Sequence, residues 1–412
     1  MRVAAFVVAA LLSIAAGARA QDHDHDASGD RGWTFMQDGV VWVMFNDQGS
    51  SRGERELKAP NWWMGMFERP IARGTFTFSL MLSLDPATVG AQGYSHIFQV
   101  GETYQGNALI DHQHPHDFLM QAAAIWRTPF LLGTTLTLAG APVGEPALGP
   151  VAFMHRSSAV ENPMSPLGHH TLDSTHIAMG VLTGALEKGW FQGEYSLFNA
   201  VEPDENRWDL MDPGPLNSWS VRGWLRPSPQ WSAQVSYGYL TEPERIEEGD
   251  VKRTTASLSW KSSPGARWTS ATFAWGRNKK LGGKYDAFLG EATHEFGTSG
   301  SIYGRAESTD VEDDVLRSGV HTAGLGRKNL RAHVVLPGGI SAVGAVTLGA
   351  TKTLWRPRGW VAEAGGQLTG YGVPPPLTPF YTAHPWSGQV FLIVRPPAMH
   401  RMLDATMTHR PM

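Results

Sequence analysis

The stretch Gly74-Thr75-Phe76-Thr77-Phe78-Ser79-Leu80-Met81-Leu82-Ser83-Leu84 decides the fold. Phe76, Phe78, Leu80, Leu82 and Leu84 fall on one face of an extended segment, and Thr75, Thr77, Ser79 and Ser83 on the other. Side chains alternate across a strand with period two, so the segment has one apolar and one polar surface. Asp85-Pro86 then ends it, because proline cannot donate to a sheet ladder. The alternation returns in Trp231–Leu240, where Trp231, Ala233, Val235, Tyr237 and Tyr239 oppose Ser232, Gln234 and Ser236, and again in 254–260 and 268–275. Turn-forming runs such as Lys261-Ser262-Ser263-Pro264-Gly265 separate these segments, and Trp386–Arg395, followed by Pro396-Pro397, is the last of them.

Strands of about ten residues with an apolar face in strand after strand, and no helices to cover it, predict a transmembrane antiparallel β-barrel, an all-β fold in which lipid covers the outer face. Counting from Val40 to Arg395 gives about 14 to 18 strands, and the even-number rule for bacterial barrels centres the expectation on about 16. Composition agrees: 16 Trp, 17 Phe, 9 Tyr and 46 Gly accompany only 17% charged residues, as aromatic girdles and tight strand packing require. A soluble periplasmic β-protein is the competing reading. Gln192, Glu194, Arg222, Glu291, Glu295, Arg305 and Glu307 fall on the polar face, where a water-filled lumen would solvate them. A net charge of −4 gives no basis for a nucleic-acid partner.

The N-terminus reads as an export signal. Met1-Arg2 precedes an apolar run of about 14 residues, too short to span a bilayer, and Gly17-Ala18-Arg19-Ala20 is a small-residue cleavage site. The expected organisation is a Sec-type signal peptide at 1–20, a disordered polar stretch at 21–32, a barrel at 33–397 and a C-terminal tail at 398–412. The expected location is a Gram-negative outer membrane, with lipid, the barrel-assembly machinery and small ions or solutes as partners. The chain ends in Pro411-Met412 rather than on the terminal aromatic of many such barrels. The polar stretch contains Asp22-His23-Asp24-His25-Asp26, read as a linker. With no cysteine anywhere, lipoprotein acylation, disulfides and thiolate metal sites are excluded.

Eight of the 16 histidines lie between His96 and His176, most of them in two segments that interrupt the strand rhythm. One is Asp111-His112-Gln113-His114-Pro115-His116-Asp117. The other, 153–176, holds Met154, His155, Met164, His169, His170, Asp173 and His176, and Pro163 and Pro166 predict a structured loop. Imidazole, carboxylate and thioether are the ligands left for a transition metal when thiolate is missing, so copper, zinc or nickel is the expected cofactor. Residues two apart on a strand sit about 6.5 to 7 Å apart, so His112 and His114 could share an ion, whereas three in a flat strand could not. The site is therefore expected to combine one or two ligands among His112, His114, His116 and Asp117 with others among His155, His169, His170, Asp173 and His176. Met81, Met120 and Met179 read as wall packing. The acidic run 199–209, with Glu202, Asp204, Glu205, Arg207 and Asp209, reads as a solvated loop with internal Arg–carboxylate pairing.

Three other readings are carried. A general porin needs none of these histidines. A barrel-embedded lipid hydrolase would use Ser174 with His176, or Ser157-Ser158 near His155. The H-x-H-x-D-H zinc motif of metallo-β-lactamase-like hydrolases is matched only in part, since His116-Asp117 reverses its order and the βα alternation is missing. No chemical step is assigned.

His114-Pro115-His116-Asp117, Met154-His155-Arg156, Pro166-Leu167-Gly168-His169-His170 with Asp173 and His176, and Glu202-Pro203-Asp204-Glu205-Asn206-Arg207 look like a group of uncharacterised proteobacterial outer-membrane proteins. The runs Val235-Ser236-Tyr237-Gly238-Tyr239-Leu240 and Ala274-Trp275-Gly276-Arg277-Asn278 fit the same group, and the resemblance spans most of the mature chain. Such proteins are often encoded near copper and other heavy-metal resistance genes, so the resemblance implies a role in metal homeostasis without naming a reaction.

Overall fold

The computed structural model describes residues 32–210, 212, 214–245, 247–263, 267–318 and 339–397. The expected signal peptide, all but the last residue of the polar stretch, and the C-terminal tail lie outside them. In chain order the strands are β1 (Thr34–Asp47), β2 (Arg55–Lys58), β3 (Asn61–Ile71), β4 (Gly74–Leu82), β5 (Tyr94–Tyr104), β6 (Asn107–Gln113), β7 (Leu119–Pro129), β8 (Thr135–Gly144), β9 (Ala178–Lys188) and β10 (Phe191–Asn199). They continue with β11 (Ser218–Ser228), β12 (Trp231–Leu240), β13 (Val251–Lys261), β14 (Trp268–Lys280), β15 (Gly283–Glu295), β16 (Gly300–Glu312), β17 (Ile340–Trp355), β18 (Val361–Gly372) and β19 (Trp386–Arg395).

Sixteen of these strands form a closed antiparallel barrel, the expected number. Each pairs with its neighbour, and β1 closes the ring. Its first half pairs with β3 (Thr34 with Glu68, Val41 with Asn61) and its second half with β19 (Val41 with Val394, Asp47 with Gly388). The four-residue β2 pairs only with the end of β1. Closure removes the sheet edges, so every spanning backbone group finds a partner without water. Alternation along each strand sorts the side chains. On β17, Val346 and Leu348 point out and are exposed, while the alternate positions Val343, Ala345 and Thr347 are buried. Val235, Leu258, Phe273, Ile302, Leu368 and Val390 continue this outward apolar band around the wall, with Trp190, Trp231, Trp355 and Trp386 at strand ends. The polar faces of Gly74–Leu82 and Trp231–Leu240 point inward as the sequence predicts: Thr77, Ser79, Ser232, Gln234 and Ser236 are buried.

Connections at one end are short, such as the Gly189-Trp190 turn between β9 and β10, where Gly189 has φ +59°, a conformation easy only for glycine. Longer connections gather at the other end, which in outer-membrane barrels faces outward. Two of them fold into the interior. The β5–β6 hairpin is a separate two-stranded sheet; its Ile97 and Phe98 pack with Val343, Ala345, Tyr371 and Tyr381. The second is the connection from Glu145 to Ile177 between β8 and β9.

That connection reaches much of the inner wall. Ala147 and Gly149 donate backbone N–H groups to Ser196 on β10 and Ser236 on β12 (2.8 and 2.9 Å). Ser158 donates to Thr272 on β14 (2.7 Å), Arg156 to Glu291 on β15 (2.7 Å) and the Leu167 N–H to Glu307 on β16 (2.7 Å). Arg395, the last residue of β19, donates to the Val160 carbonyl (2.7 Å). The inward charges therefore serve differently from the solvated lumen that the sequence suggests. Gln192, Glu194, Arg222, Glu291 and Arg305 are buried, and Arg156, Glu291 and Arg305 are joined in one ion-pair chain. A buried charge is tolerated only when paired and hydrogen-bonded.

Candidate metal centre

The β6–β7 connection supplies His114 and His116, and the inserted connection supplies His169 and His170 from the single helical turn His169–Leu172 and His176 from the turn after it. The two segments meet in the interior. Ring centroids of His114, His169 and His170 are 5.3 to 5.9 Å apart. His176 lies 5.3 Å from His169 and 5.9 Å from His116, which is 6.3 Å from His114. One nitrogen each from His114, His169 and His170 lies within 4.8 Å of the other two, close enough for a single ion.

The chemistry of the rings is set by what touches Nδ1. His116 Nδ1 lies 2.9 Å from Asp85 Oδ2, His169 Nδ1 2.7 Å from Asp173 Oδ1, His176 Nδ1 2.8 Å from the Asp173 carbonyl and His114 Nδ1 3.0 Å from Glu102 Oε1. Carboxylates and carbonyls only accept, so Nδ1 carries the proton and the Nε2 lone pair is left bare. Nε2 of all four is buried with no hydrogen-bond partner among the described residues, as is Nε2 of His170. An unsatisfied buried polar atom costs about 1–3 kcal/mol, and this pattern, with one ring nitrogen pinned by a carboxylate or carbonyl and the other bare, is the one metal-ligating histidines show.

Burial favours the neutral form of His114, His169, His170 and His176. It pushes His114 and His176 well below the usual histidine value, with the neighbouring rings acting in the same direction, and lowers His169 and His170 as well. Asp173 is the opposite case: burial opposes its charge, but Arg156 at 2.5 Å and His169 outweigh this and hold it ionised. Neutral imidazole next to an ionised carboxylate is the ligand state a cation needs.

The remaining sequence candidates sit elsewhere. His112 turns Nδ1 to the Ile110 carbonyl (3.1 Å) and Nε2 towards Glu54 (3.9 Å), apart from the imidazole group. His155 packs edge-on against Trp62, ring centroids 4.7 Å apart. Asp117 is held by Arg207 (3.1 Å), and Asp173 supports rings rather than joining them. Met154 and Met164 are buried in an apolar cluster with Trp62, Met64 and Met81. Ser174 accepts a hydrogen bond from Arg253 (3.1 Å), and Ser157 and Ser158 bond to Ser270 and Thr272, so the hydroxyls of a possible hydrolase are engaged with the barrel wall.

The acidic run 199–209 differs from its expected role. Arg207 is buried and bridges Asp117 and Glu102, both outside the run. Glu205 accepts the N–H groups of Gln105 and Gly106 (2.8 and 2.7 Å), so it clasps the hairpin tip. Glu202 Oε1 lies 3.3 Å from His170 Nδ1, and Glu244 from the next loop completes a second close group with these two. Burial and neighbouring acids push Glu202 up to about 8 and Glu244 to about 7.

Sequence reasoning missed Asp85, Glu102, Glu244 and the centre-directed role of Arg207. Asp85 looked like a strand terminator; its burial behind His116 depends on tertiary contacts, with the Asn61 N–H donating to it at 2.9 Å. Gly101 was also missed. Its φ is +151°, and a Cβ there would stand 2.1 Å from the His170 ring.

No protein family and no curated protein matches this chain by sequence. Among solved structures it is similar to OprB of Pseudomonas putida (TM-score 0.52, 11% identity, covering 89% of this chain and 94% of that one). It is also similar to the anion-selective porin from Comamonas acidovorans (TM-score 0.51, 11% identity, 88% and 100%). At such identities the likeness is one of fold: the chain has the architecture of outer-membrane porins.

Proposed function

We propose that this porin-like barrel resides in a Gram-negative outer membrane and binds a transition-metal ion inside its lumen, for storage or passage, at a centre formed by His114, His169 and His170 with His116 and His176 alongside. The observation that carries the reading is the set of buried, unpartnered Nε2 atoms, with the rings of His114, His116, His169 and His176 fixed from behind at Nδ1. A borderline ion such as Cu2+, Zn2+ or Ni2+ suits an all-imidazole set, and a role in copper homeostasis is one instance of it.

Elemental analysis of detergent-purified protein, before and after incubation with each metal, is the test. Stoichiometric binding that His114→Ala/His169→Ala lowers by one ion per chain is expected. Protein that takes up no copper, zinc or nickel sinks the reading and leaves general solute passage. In that case the double variant would change neither conductance nor metal tolerance.

A further inference from the structure

Both nitrogens of the His170 ring are buried without a hydrogen-bond partner, and one ring nitrogen lies close to those of His114 and His169. Nδ1 lies 3.3 Å from Glu202 Oε1 and makes no hydrogen bond although it is buried; Glu202 Oε2 is buried and unpartnered too. Ligand atoms of His170, Glu202 and Glu244 all lie within 4.8 Å of one another. We propose a second cation site here, built from His170, Glu202 and Glu244, with the His170 ring bridging the two ions as an imidazolate once its N–H proton is released to solvent on binding; it rests on the reading of the imidazole centre as a metal site.

Three features make this a built site rather than two acids that happen to be close. First, its backbone is fixed: the Glu202 N–H donates to the Pro243 carbonyl (2.9 Å), and Arg245 donates to the carbonyls of Glu202 and Pro203 (2.8 and 3.1 Å), so the two acid-bearing loops are stitched together. Second, the guanidiniums that line the cavity are engaged elsewhere, Arg207 with Asp117 and Glu102. Arg253 donates to the His170 carbonyl (2.6 Å), Ser174 (3.1 Å) and Asn278 (2.8 Å), and among the described residues neither Glu202 nor Glu244 has an Arg or Lys ion pair. Third, His114, His116 and His176 of the imidazole group line the same cavity as His170, Glu202 and Glu244.

The donor set identifies the ligand class. One imidazole with two carboxylates suits a divalent ion of borderline hardness and disfavours a soft monovalent one, which seeks thioether or thiolate. Glu202 and Glu244 belong to the β10–β11 and β12–β13 connections at the long-loop end.

Zn2+ titration of the detergent-purified full chain, read by elemental analysis after gel filtration, tests this. Two Zn2+ per chain are expected for the wild type, one for Glu202→Gln/Glu244→Gln and one for His114→Ala/His169→Ala. Two ions retained by the glutamine variant, or one wild-type ion that the alanine variant removes, overturns the second site while leaving the imidazole centre standing. Zinc uptake that the alanine variant does not reduce sinks the imidazole centre instead, and no uptake at all sinks both. Heat-modifiable gel migration reports whether each variant is folded. X-ray absorption of the zinc-loaded wild type gives a readout independent of the variants: mixed imidazole and carboxylate coordination is expected, and imidazole alone overturns the proposal.

Discussion

Asp173 shows how much one side chain outside the ligand set can govern. It receives Arg156 at 2.5 Å and holds His169 at 2.7 Å, and all three are buried. Removing one partner of a buried pair costs about 3–5 kcal/mol, and losing the group that orients a ligating ring weakens metal binding by roughly 10- to 100-fold. Asp173→Asn is therefore expected to lower both the urea midpoint in detergent and the metal affinity, measured by competition with a chelator. Gly101→Ala should separate the two effects. Its Cβ would displace the His170 ring, so affinity should fall more than stability; unchanged metal content in a folded variant would contradict the placement of His170. Acid acts on other rings. Burial, with the Arg305 charge adding to it, lowers His96 to about 3, and burial lowers His155 to about 4, against an unfolded value of about 6.5. Between these limits the unfolded chain binds protons that the folded chain refuses, so stability rises with pH across the window and falls on acidification below about 6.5. A lower urea midpoint at pH 4.5 than at pH 7.5, with a shallower pH slope in His96→Gln, is expected. At this scale the sequence was informative about ligand type but not partners: His114, His169 and His170 stand out as imidazoles, whereas nothing near Asp85 or Glu102 in the chain shows that each backs a ring.

At the scale of elements, the barrel was legible and its contents were not. Period-two alternation in Gly74–Leu82 or Trp231–Leu240 is a local property that lipid on one side and an interior on the other impose on each strand separately. The course of the Glu145–Ile177 connection has no such signature. It is fixed by single contacts with strands far along the chain, such as Arg156 with Glu291 and Leu167 with Glu307, and Glu291 or Glu307 reads equally well as a residue facing water. Because this connection crosses the lumen, replacing 150–172 with a short Gly/Ser linker is expected to raise single-channel conductance in planar bilayers several-fold and to abolish metal binding. Equal conductance with and without the segment would show that it does not obstruct passage.

For the whole molecule, the lipid-facing wall makes its own demand. Leu348 lies near the middle of β17 and is 68% exposed, so Leu348→Arg places a charge near the bilayer centre, at an expected cost of about 2–4 kcal/mol. The matched change at Leu354, towards the end of the same strand, should cost about 0–1 kcal/mol; refolding titrations into lipid vesicles measure both. Closure carries a further implication for biogenesis. Arg395 is the final residue of the last described strand, yet it grips Val160 and Glu161 in the inserted connection. Strand β19 is thus also a latch on material laid down more than two hundred residues earlier. The inserted connection must already be inside when β19 zips to β1, since a finished ring leaves no gap for it to enter sideways. Sealing the wall and locking its contents then become a single event, and a chain that stalls short of Arg395 would lack both the seam and the latch.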